Sequence, residues 1–144
     1  MTKPGFAFTA ACLLFTSAPA LSQQFDSKLL AGSWSESTDT NPVCAPENLR
    51  VRFDVNPEAN LLTFLLDRKW RVVTGDEVDR FTANIVQSNN RVMIIQYNWD
   101  RSKTPKDYPL VWELVVIAPG LYRWRSPEWP EGQVNNVVGV RCED

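Results

Sequence analysis

The sequence predicts an all-β protein: an up-and-down antiparallel barrel of about eight to nine short strands. Three observations carry this. Apolar residues recur with period two, or in runs too short for a helix. Turn chemistry separates the runs at short intervals. No window of ten or more residues in the 23–144 region sustains a helical period. With 44% hydrophobic and 22% charged residues, the chain has the apolar content to build a core.

The segments follow one another in order. Lys28-Leu29-Leu30-Ala31 allows one helical turn before a short opening strand around Trp34. Leu49, Val51, Phe53 and Val55 alternate with Arg50, Arg52 and Asp54, giving one dry face and one wet face. Residues 56–60 (NPEAN) form a turn. The next strand is expected over 61–66 and is closed by Asp67-Arg68-Lys69. A separate strand is expected over 70–74, ended by Gly75-Asp76. Phe81, Ala83 and Ile85 alternate with Thr82 and Asn84. The stretch 87–90 (QSNN) turns into a strand over 91–97. A polar loop follows over 98–109, carrying Pro105 and Pro109. The most apolar strand runs over 110–117. Ala118-Pro119-Gly120 turns tightly into 121–125, and a loop over 126–136 leads to the last strand, 137–142.

An open meander of this length would leave two unpaired edges, and closure into a barrel removes them. A two-sheet sandwich needs long crossing connections, of which the sequence has few. Cysteine usage agrees with closure. Residues 1–22 read as a cleaved secretory signal: Lys3, then the apolar core 6–15, then the small-residue sites Ala18-Pro19-Ala20 and Ala20-Leu21-Ser22. Cys12 would leave with that signal. Cys44 and Cys142 then remain as an even pair in a single domain, 23–144, expected to be periplasmic or secreted. Such a pair reads as a disulfide, closing a loop of about 100 residues and worth up to about 4.7 kcal/mol.

Several functional classes drop out. There is no histidine, so Ser-His and Cys-His catalysis and imidazole metal sites are absent from the expectation. Gly residues number six and are scattered, so no phosphate loop stands in the chain. A net charge of -2 argues against a nucleic-acid partner. No apolar run beyond the signal is long enough to span a bilayer. Asp76, Glu77 and Asp79 read as a solvated hairpin tip. Glu113, inside the most apolar strand, reads as facing outward and paired with an arginine of the next strand. The chain is therefore expected to be no enzyme and to need no cofactor or metal.

Leu30-Ala31-Gly32-Ser33-Trp34 gives a Gly-x-Trp at the start of the first strand. With the run of hairpins, this resembles the lipocalin-like barrels, or calycins, and among them the short secreted bacterial members that include hydrolase inhibitors. The resemblance implies that Trp34 closes one end of the barrel and that Arg141, from Val140-Arg141-Cys142, packs across it. A cation over an indole face is worth roughly 0.5–2 kcal/mol.

Six tryptophans are the other conspicuous feature. Trp70, Trp112 and Trp124 fall in strands, where they fill the interior or line an apolar pocket with indole N–H groups as polar handles. Trp99 and Trp129 fall in loops, as partner-facing anchors or as a lid over the barrel mouth, and Tyr108 adds to the aromatic set. Two functions compete. One is a binding protein that holds a small apolar ligand in the barrel. The other is an envelope protein–protein module, such as an inhibitor of a secreted hydrolase. An apolar cavity above about 300 Å³ that opens to solvent favours the first, and a solid interior favours the second.

Overall fold

The computed structural model describes residues 24–36, 42–72, 74–107, 109–126 and 137–143. Residues 1–22, expected to be a signal peptide, Tyr108 and Trp129 therefore lie outside the described residues. Eight antiparallel strands close into a barrel in sequence order: β1 (Ser33–Glu36), β2 (Arg50–Asn56), β3 (Leu61–Arg71), β4 (Glu77–Ser88), β5 (Val92–Tyr97), β6 (Trp112–Ala118), β7 (Leu121–Arg125) and β8 (Val138–Cys142). The only described helix is a 3-10 turn over Ser27–Leu30, and no described helix is long and apolar enough to cross a membrane. β1 and β8 close the barrel through Ser33–Cys142, Trp34–Arg141, Ser35–Val140 and Glu36–Gly139.

Eight strands stand where the turn signals allow nine, because two expected segments fuse. Asp67, Arg68 and Lys69 do not end the strand begun at Leu61. They continue it, exposed, across a register shift between Leu65 and Trp70 in the β3–β4 pairing. A bulge of this kind bends a strand without ending it. Asp67 accepts from Arg68 and from the Arg50 amide, which draws its carboxyl below the ordinary range. Arg68 also donates to the carbonyls of Pro46 and Asn48. Arg68 thus holds the loop before β2, and Asp67 holds the start of β2 itself. The acidic cluster Asp76, Glu77 and Asp79 is solvated as expected, but the strand begins earlier than the turn reading placed it. Glu77 and Asp79 lie within β4, and Glu77 pairs across to Arg71 at 3.0 Å.

Alternation puts Val51, Phe53 and Val55 of β2 inside, with Leu62 and Phe64 of β3, Ala83 of β4, Met93 and Ile95 of β5, and Leu114 and Val116 of β6. Glu113 has the opposite parity to Leu114. It faces outward and pairs with Arg125 of β7, as expected, while remaining 9% exposed.

One end of the barrel is plugged. Asp26 caps the 3-10 turn by accepting from the Lys28 amide, and Leu30 is buried under the strands. The fully buried Trp34 donates its indole N–H to the Leu30 carbonyl at 3.0 Å. The Arg141 guanidinium carbon lies 4.9 Å from the Trp34 ring centre, and its Nη2 donates to the Leu29 carbonyl. Gly32 holds φ +101°, a left-handed conformation that lets the chain turn into β1. On the outer face, Cys44 bonds to Cys142 with Cα atoms 5.7 Å apart. Arg50 reaches both the Cys142 sulfur and the Cys44 carbonyl. The bridge fastens the loop before β2 to the last strand beside the closing seam.

Candidate functional site

The other end of the barrel is hollow. A cavity of about 410 Å³ lies between β1, β2, β3, β4 and β5. Its walls are Val51, Phe64, Leu66, Phe81 and Tyr97, with Leu49 and Asn48 from the loop before β2. It reaches the surface at Trp70, which is 53% exposed, and at Glu47. The aromatic walls support one another. Phe64 stacks on Phe81 at 4.4 Å between ring centres, Phe64 meets Tyr97 at 5.6 Å, and Phe53 is edge-on to Phe64 at 5.3 Å. Rigid aromatic walls of this kind keep a pocket open at little entropic cost.

A carboxylate stands against this apolar lining. Trp34 faces inward, so Glu36, two residues on in the same strand, faces inward as well. Its Oε1 accepts from the Tyr122 hydroxyl at 2.9 Å and from the Trp124 indole at 2.7 Å. Among the described residues no donor meets Oε2. Burial raises the Glu36 carboxyl above its ordinary value of 4.5, and the two donors offset only part of that. The same burial, reinforced by the Glu36 charge, pushes the phenols of Tyr97 and Tyr122 upward. No lysine or arginine is among the described residues that line the cavity.

A missing side chain on β8 sets the Tyr122 position. Gly139 pairs with both Glu36 and Tyr122 in the sheet register. The Tyr122 ring lies directly over the Gly139 Cα, where an added Cβ would overlap Cζ and Cε1 and come within 2.5 Å of Cε2. The ring is fully buried, 5.0 Å from Trp34 and 5.5 Å from Phe53. Gly139 therefore leaves the space in which Tyr122 crosses the barrel to reach Glu36.

The tryptophans divide by role. Trp70 is not a core residue. Beyond the β3 bulge it sits on the cavity rim, so the strand continues but its interior parity does not. Trp124 is buried and binds Glu36. Trp112 packs against the core and is not among the residues lining the cavity. Trp99 stacks on Tyr97 at 5.1 Å, on the far side of that ring's wall, with its indole N–H buried and unpartnered. It borders a shallow groove on the barrel flank with Val78 and Arg80. A smaller hollow of about 260 Å³ lies at the plugged end near Phe25 and Ile85, with more polar than apolar lining. Among the described residues no three of Cys, Asp and Glu converge as metal ligands.

The barrel, its closure and its disulfide define a stapled all-β scaffold with one hollow end. Comparison with protein-family models finds no match, and neither does comparison with curated proteins or with solved structures.

Proposed function

We propose that the protein is a non-catalytic binding protein, a lipocalin-like barrel that holds a small, largely apolar ligand in its open end. The observation that carries this is the cavity of about 410 Å³ walled by Phe64, Phe81, Tyr97 and Leu66. It exceeds the roughly 300 Å³ lower bound of small-molecule sites and has their usual makeup, apolar walls with a few polar groups. The plug of Leu30, Trp34 and Arg141 stabilises the closed end, and the disulfide suits an extracytoplasmic setting. The competing role as a protein–protein module, expected from the disulfide and the loops 98–109 and 126–136, would gain from a solid interior and an exposed Trp129. The cavity counts against the first, and Trp129 lies outside the described residues.

The test uses a neutral dye, N-phenyl-1-naphthylamine, whose emission rises in apolar surroundings. Saturable enhancement at one dye per chain is expected. Leu66→Trp fills the cavity from its wall and is expected to abolish the enhancement while the barrel still melts cooperatively. Equal enhancement in the folded variant would refute the cavity as the site.

A further inference from the structure

The Glu36 environment is costly unless something completes it. Glu36, half-buried against an aromatic wall, loses part of its hydration, and two hydrogen bonds to one oxygen do not replace a counter-charge. Both donors reach Oε1, which orients the carboxylate, and among the described residues no donor takes Oε2. The wall around that position is made of π faces: Phe64 and Phe81 stacked, and Tyr97 beside them. Ring faces attract cations, more strongly when water is excluded. At the rim, Glu47 adds a second negative charge over the opening.

From this arrangement we infer that the ligand of the barrel cavity is an organic ammonium compound, its cationic nitrogen at Glu36 Oε2 and its apolar body against Phe64, Phe81 and Leu66. The inference rests on the cavity being a binding site, and goes beyond it by assigning the charge of the ligand. A neutral or anionic apolar ligand would leave Glu36 without a counter-charge, and an anionic one would face two carboxylates. Tyr122 and Trp124 are positioning residues in this scheme: they hold the carboxylate and do not touch the ligand.

Two probes of the same shape separate the charge from the cavity. Benzyltrimethylammonium and its uncharged carbon isostere, neopentylbenzene, are titrated into the full-length mature protein by calorimetry at pH 7. The ammonium is expected to bind at least tenfold more tightly. In Glu36→Gln, which keeps an acceptor for Tyr122 and Trp124, that ratio is expected to fall to one or below, while neopentylbenzene binds within about threefold of wild type. Wild-type binding of neopentylbenzene as tight as the ammonium, or a ratio that survives in Glu36→Gln, would overturn the ammonium assignment and leave the cavity standing. Failure of both probes to bind would overturn both.

Discussion

Gly139→Ala is the sharpest perturbation of the site that touches no ligand. The new methyl would lie within the Tyr122 ring, 2.5 Å from Cε2 and closer still to Cζ and Cε1. Ordinary carbon contacts need about 3.5–4.0 Å, so the ring must retreat by at least about 1 Å. It has little room, since Trp34, Phe53 and Trp124 surround it at centroid distances of 5.0, 5.5 and 6.0 Å. Overpacking of this kind costs about 1–3 kcal/mol. Displacement also breaks the Tyr122–Glu36 hydrogen bond, and bonds to charged groups are worth about 1.5–3 kcal/mol. A loss of about 2.5–6 kcal/mol is expected in urea unfolding. Gly75→Ala is the control: no atom lies within 4 Å of its added Cβ, and only its φ of +93° opposes the change, at about 1–2 kcal/mol. A Gly139→Ala protein within 0.5 kcal/mol of wild type would refute the claim that Gly139 seats Tyr122.

Three further outcomes follow from the same structure. Because burial raises the Glu36 carboxyl, its protonated form is favoured in the folded state; that contribution is full below about pH 4.5 and is lost as pH rises through the folded value. Glu36→Gln is therefore expected to gain stability relative to wild type as pH rises from 4 to 7, and a parallel pair of stability curves would contradict it. Replacing Cys44 and Cys142 together by Ala removes a crosslink between residues 98 apart. It should lower the melting temperature by on the order of 10–20 °C, from a maximum of about 4.7 kcal/mol; a shift under about 3 °C would mean the unfolded chain is not loosened by the cut. Arg141→Met keeps packing over Trp34 but loses the cation and the bond to Leu29. A cost of about 1–3 kcal/mol is expected by thermal unfolding, and no change would remove Arg141 from the plug.

Much of the barrel is legible in the sequence because each strand writes its own period. Val51, Phe53 and Val55 read inward from alternation alone, and the Cys44–Cys142 pairing follows once Cys12 is assigned to the expected signal segment. The fused strand was hidden because Asp67-Arg68-Lys69 has the composition of a turn, while its strand conformation depends on pairing across a bulge and on holding the loop before β2. Glu36 was available in principle. Trp34 inward implies Glu36 inward two residues later, but a four-residue strand gives too few repeats to fix parity, and attention falls on longer strands such as that of Glu113. The Gly139–Tyr122 seat depends on register across the loop between β7 and β8, which no local pattern encodes.

The central claim, that the hollow end of the barrel takes a small apolar molecule, is tested most directly by mapping amide chemical shifts during titration with toluene, a neutral probe with no hydrogen-bonding group. Saturable shifts are predicted at Val51, Phe64, Leu66, Phe81 and Tyr97, with Leu30, Trp34 and Arg141 at the plugged end unmoved. Shifts confined to the plugged end or to the flank groove at Trp99, or none at all, would contradict it.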